Sequence, residues 1–168
     1  MKKISTCFKQ TIFLVSLILT PWLVCGQTTL INPTTDGSFD LPGGFIGNGW
    51  IVANGTTVNT WQTSSVPSMF TSNSAFISND NGIAHSFTNT SSSVVHFYKD
   101  ITFPAGETKI NLTFNWVALG ETGFYDAIIV SLAPTTYTPT ASTTSLGLNN
   151  LGAPTIEVAR LWNSSTVQ

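Results

Sequence analysis

Lys109-Ile110-Asn111-Leu112-Thr113-Phe114-Asn115-Trp116-Val117-Ala118-Leu119 sets Ile110, Leu112, Phe114, Trp116 and Ala118 on one parity against Asn111, Thr113 and Asn115 on the other. Side chains of an extended chain point alternately to opposite faces. This period of two therefore predicts a strand with one face on a core, Trp116 included, and the other in water or on a ligand. Upstream, Ser93 to Phe103 repeats the pattern more loosely. Val95, Phe97, Ile101 and Phe103 share a drier parity, Val94, His96, Tyr98 and Asp100 a wetter one, and Lys99 interrupts the dry row. Downstream, Gly120 to Gly123 breaks the chain before Tyr125 to Ala133, where Ile128, Val130 and Leu132 are in phase.

Ala75-Phe76-Ile77-Ser78 reads as a further short strand, closed by a turn at Asn79-Asp80-Asn81-Gly82. Between Trp50 and Trp61 an Asn54-Gly55 pair separates two β-branched runs, which predicts a tight hairpin that brings the two tryptophans together. A long Thr/Ser-rich loop is expected at 135–154, after which Ile156 to Trp162 resumes the sheet. No window beyond residue 26 has a helical period. The expected fold is all-β, an antiparallel jelly-roll β-sandwich, incomplete at the C-terminus because the strands that would cover its sheet edges do not follow before Gln168.

The first 26 residues have another character. Lys2, Lys3 and Lys9 precede an apolar run from Ile12 to Leu19, and Pro21 leads to a small residue at Gly26. That is the layout of a secretory signal peptide cleaved before Gln27, and the run meets Thr20 and Pro21 too early to span a bilayer. Cys25 lacks the small residue expected just ahead of a lipidated cysteine. Cys7 and Cys25 both fall within the leader, so the span 27–168 is expected to have no disulfide or thiol chemistry. It suits one domain of ~100 to 150 residues.

Outside the leader only Lys99, Lys109 and Arg160 stand against eight acidic residues. Nucleic acid is therefore excluded as a partner, since phosphate recognition needs clustered cations. Charged residues make up 8 % of the chain, against ~25 % in ordinary soluble domains. Thr, Ser, Asn and Gly carry solubility instead, a bias of extracellular β proteins.

No catalytic group is expected. His96 and Asp100 share a strand face, but the sharp Gly-x-Ser-x-Gly elbow of a serine hydrolase does not occur. Glu121 and Asp126 could form a glycosidase-like carboxylate pair; the simpler reading is a loop end whose carboxylates satisfy backbone N–H groups. His85 and His96 lack zinc-ligand spacing. Asp36 and Asp40, with neighbouring carbonyls, admit two readings: aspartates that cap a turn, or ligands of a structural calcium ion. Among Trp50, Trp61, Trp116, Trp162, Tyr98 and Tyr125, the pair Trp61 and Tyr98 is expected to be exposed and to contact a ligand such as a sugar ring. Asn54, Asn89, Asn111 and Asn163 match the Asn-x-Ser/Thr pattern, which carries glycans only in a eukaryotic source.

Several stretches resemble one family. Ile31 to Asp40, Gly49-Trp50, Ala75 to Asp80, Ser93 to Ile101, and Gly120-Glu121 with Tyr125-Asp126 look like the N-terminal jelly-roll module of large secreted bacterial proteins. That module is similar to the cleaved-adhesin and MAM-like group and, more distantly, to galactose-binding-like carbohydrate modules. The resemblance implies a non-catalytic adhesion or ligand-binding module, secreted or at the cell surface, whose partner is a glycan or an extracellular protein. It also implies downstream domains in the same polypeptide, such as fibronectin type III repeats and a sorting domain. In the carbohydrate-binding relatives the opening acidic residue helps hold calcium, which falls on Asp40 and Asp36 here. A second function is an accessory carbohydrate-binding-like domain of a secreted hydrolase, peptidase or glycosidase, whose catalytic part lies downstream.

Overall fold

A computed structural model describes residues 27–65, 70–121, 125–146, 151–152 and 154–161. Residues 1–26, where a signal peptide is expected, with Cys7 and Cys25, and Trp162 and Asn163 lie outside the described residues. Among the described residues six strands and one turn of helix follow in the order α1 (Gly44–Gly47), β1 (Ile51–Ala53), β2 (Thr60–Ser64), β3 (Ser74–Ser78), β4 (His96–Tyr98), β5 (Ile128–Leu132) and β6 (Ile156–Leu161). They form three antiparallel two-stranded ladders, β1 with β4, β2 with β3 and β5 with β6. The chain is all-β, as its alternation predicts. Among the described residues no helix is long and apolar enough to cross a membrane.

β3 and β6 fall where the sequence places them. The Asn54-Gly55 hairpin does not form. Gly55 takes the expected positive φ of 57°, but β1 leaves it to pair with β4, Val52 opposite Phe97, while β2 pairs with β3, Trp61 opposite Ile77. The cause is the side chain of Asn54. Its amide donates to the Trp61 carbonyl at 3.1 Å and its oxygen accepts the Trp61 N–H at 2.8 Å, so it takes the place a neighbouring strand would hold.

The same clasp recurs twice. Asn48 exchanges bonds with Leu41 (3.2 and 3.0 Å) and adds a third to the Gly44 carbonyl at 2.7 Å. Asn59 exchanges bonds with Thr88, 2.8 and 2.7 Å, across 29 residues. An amide side chain carries one donor end and one acceptor end, as a peptide group does, and can pair with backbone wherever a strand is missing. Burial follows these clasps: Asn48 is 1 % and Asn59 8 % exposed, as deep as Phe45 at 7 % and Phe76 at 9 %. Buried polar groups at such depth are tolerated because they are bonded.

An aromatic cluster joins two ladders. Phe97 of β4 meets Trp61 of β2 at 4.8 Å, Trp50 at 5.2 Å and Phe45 of α1 at 5.3 Å between ring centroids. Both tryptophans therefore converge, on Phe97 rather than across a hairpin. Phe39 reaches the same cluster from a left-handed backbone, φ 60°. That conformation costs a bulky residue ~1–3 kcal/mol, offset by ring contacts with Phe45, Trp50 and Phe97.

One expectation meets a different arrangement. Lys109 to Val117 is in no ladder with a described strand, and Ile110, Leu112 and Phe114 are 48 %, 54 % and 44 % exposed, while Trp116 is half-buried. The loop at 135–154 is tied down in its first half: Ser142 and Val94 exchange backbone bonds of 2.9 and 2.7 Å. In β6 the extra residue Val158 forms a bulge, because Glu157 faces Ser131 while Ala159 faces Val130. The bulge brings Glu157 and Arg160 onto one face, where they bond at 2.9 and 2.7 Å.

Candidate functional site

The residues singled out by sequence sit in two groups around the aromatic cluster and a third at the Asp80 turn. Asp36 lies in the turn before α1. Its Oδ1 accepts the Asn32 N–H at 2.7 Å and its Oδ2 carries the ammonium of Lys99, 63 residues away on the strand-like stretch after β4. Its backbone carbonyl accepts the Trp50 indole N–H at 2.7 Å. Lys99 also stands 5.7 Å over the Trp50 ring. This explains the break in the dry parity of Ser93 to Phe103: Lys99 points to the aromatic side because Asp36 waits there. Partial burial alone would push the Asp36 carboxyl up. The hydrogen bond from Lys99, the Asn32 N–H and the Lys99 charge outweigh it and hold the group below the ordinary carboxylate value.

Asp40 serves a different neighbour. Its Oδ1 accepts the Asn73 N–H at 2.9 Å, and the Asn73 amide returns a bond to the Phe39 carbonyl at 3.0 Å. The pair thus anchors the chain before β3 to the opening turn. Calcium takes six or more oxygens, whereas here one Asp36 oxygen holds a lysine and the other, like Asp40 Oδ1, accepts a backbone N–H. The donor set does not fit a calcium ion in this arrangement. No group of three or more His, Cys, Asp or Glu stands together among the described residues.

Trp61 and Tyr98 are not brought together on one surface. The Trp61 indole N–H donates to the Val95 carbonyl at 3.1 Å and its ring packs edge-on against Phe97. Tyr98 follows Phe97 on β4, so strand alternation turns it to the opposite face, and it is half-buried opposite Ile51. Tyr125 is instead the ring that stands out, 78 % exposed just before β5. Its place after a glycine-flanked break was the available signal.

At the turn after β3, Ser78 is fully buried and its hydroxyl donates to Asp80 Oδ1 at 2.5 Å. The same oxygen accepts the N–H groups of Ile83 and Ala84 at 3.0 and 3.1 Å, and Oδ2 accepts the Ser86 hydroxyl. These donors, Ser78 first, hold the Asp80 carboxyl low. His85 packs on Phe76 with centroids 4.3 Å apart, its Nε2 is buried without a bond, and burial lowers its pKa. His96 Nε2 lies 3.2 Å from the Thr140 carbonyl; burial lowers its pKa, and the carbonyl partly opposes that. Asp126 Oδ2 accepts the Glu121 N–H at 2.8 Å, the loop-end role expected of it.

The four best-placed carboxylates, Asp36, Asp40, Asp80 and Asp126, are thus each bonded into a turn. Compared with known proteins, the chain matches no family model, no curated protein and no solved structure.

Proposed function

We propose that the chain is a non-catalytic extracellular adhesion or ligand-binding module of a larger secreted or cell-surface bacterial protein, built as a jelly-roll sandwich. One observation carries the reading: Asp36, Asp40, Asp80 and Asp126 are each bonded into a turn or loop, while Tyr125 and several apolar side chains are exposed. An aspartate whose oxygens already accept backbone N–H groups or a lysine is held charged and oriented away from reaction. A tyrosine ring as exposed as that of Tyr125 suits packing on a glycan ring or on an extracellular protein surface. Tyr98 and Tyr125 are the contacts of choice, whereas Trp61 serves the ligand surface from beneath, through Phe97.

The experiment is retention of the full chain on arrays of glycans and of extracellular proteins. Saturable binding to one class is expected, weakened about tenfold by Tyr98→Ala or Tyr125→Ala and little changed by Trp61→Phe. No retention on either array would count against the proposal.

A further inference from the structure

We propose that Asn81 is a modification site of the folded chain, where its amide is lost spontaneously to give aspartate or isoaspartate at the turn after β3. Asn48, Asn54 and Asn81 each precede a glycine. Glycine has no Cβ to shield its backbone nitrogen, so it is the neighbour that leaves an asparagine side chain most open to attack by the next peptide nitrogen. In an unfolded chain the three pairs are equivalent. The fold separates them.

The amides differ first. Asn48 is 1 % exposed with its side chain in three hydrogen bonds, and Asn54 grips the backbone of Trp61 through both ends of its amide. Either side chain must leave its clasp before its Cγ can meet the following nitrogen. Asn81 is exposed, and among the described residues its side chain makes no hydrogen bond. Of the three, it alone is free to turn onto its glycine.

The attacking nitrogens differ too. The Gly49 N–H donates to the Ile46 carbonyl at 2.9 Å, an acceptor with no proton of its own to pass on. The Gly82 N–H donates to the Ser78 hydroxyl at 3.0 Å, which in turn donates to Asp80 Oδ1 at 2.5 Å. The proton that Gly82 must shed therefore has a path toward a carboxylate. In the reaction the Gly82 nitrogen bonds to Cγ of Asn81, the Cγ–Nδ2 bond breaks, and ammonia leaves with that proton. Water then opens the cyclic imide at either carbonyl. The turn gains a carboxylate beside Asp80, and isoaspartate also lengthens the backbone there, drawing the Gly82 N–H off Ser78.

The test holds the full chain in mildly alkaline buffer and follows each asparagine by peptide mapping and mass spectrometry, with isoaspartate resolved from aspartate. Asn81 is expected to convert about tenfold faster than Asn54, whose clasp limits reaction to its open fraction, and Asn48 is expected to be slower still. Both acids are expected at 81, because the imide opens either way. In urea the three rates are expected to converge. No conversion at Asn81, equal rates at 81 and 54 in the folded chain, rates that stay apart in urea, or aspartate alone at 81 would overturn the proposal.

Discussion

Replacing Asn48 by aspartate is expected to cost more stability than replacing it by alanine, although aspartate is nearly the same shape. Asn48 is 1 % exposed and makes three bonds: it accepts one N–H from Leu41 and donates to the carbonyls of Leu41 and Gly44. Alanine removes all three, and at a net ~1 kcal/mol each the loss is about 3 kcal/mol. Aspartate keeps the acceptor but turns the donor into a second oxygen facing two carbonyls, with a charge that burial disfavours. That places its cost at ~4 kcal/mol or more at neutral pH, decreasing on acidification as the new carboxyl protonates and regains a donor. Urea denaturation followed by tryptophan fluorescence measures both. Aspartate no worse than alanine at neutral pH, or an alanine cost below about 1 kcal/mol, would refute the clasp as a source of stability.

Other outcomes follow from the same geometry. Asp36→Asn and Lys99→Met are expected to be coupled by ~1–2 kcal/mol in a double-mutant cycle, because their side chains are only 21 % and 18 % exposed. Since the Asp36 carboxyl is held low when folded, its contribution is present at neutral pH and is lost as pH falls through the folded value, below the ordinary carboxylate value. Acid titration of stability in the wild type but not in Asp36→Asn checks this. Gly47→Ala is expected to fold poorly or not at all, since a Cβ there would stand 1.7 Å from the Pro42 carbonyl oxygen; soluble yield and melting temperature report it. Asp80→Ala is expected to speed hydrogen exchange at the Ile83 and Ala84 amides, which its carboxylate holds. Millimolar calcium is expected to leave the melting temperature unchanged; a rise of several degrees would return Asp36 and Asp40 to the role of metal ligands.

The all-β class was legible because alternation is a local property of the chain, and β3 and β6 are local runs. Partner choice was not. Asn54-Gly55 carries a true turn, but whether the flanking runs pair depends on what else can satisfy Trp61, and the competitor was one side chain. Lys109 to Leu119 shows the converse: alternation marks a segment fit for a ladder without supplying the neighbouring edge. Lys99 was visible as an exception in a dry row, and its partner was hidden by the 63 residues that separate it from Asp36. Trp61 and Tyr98 were paired for chemistry alone, whereas strand parity divides them around Phe97.

The proposed module is expected to bind its ligand without reacting with it. Titration calorimetry of the full chain against the tightest ligand from the arrays, with the ligand's mass determined in the same sample, tests it most directly. Saturable heat and an unchanged ligand mass are predicted; a cleaved or modified ligand would contradict the account.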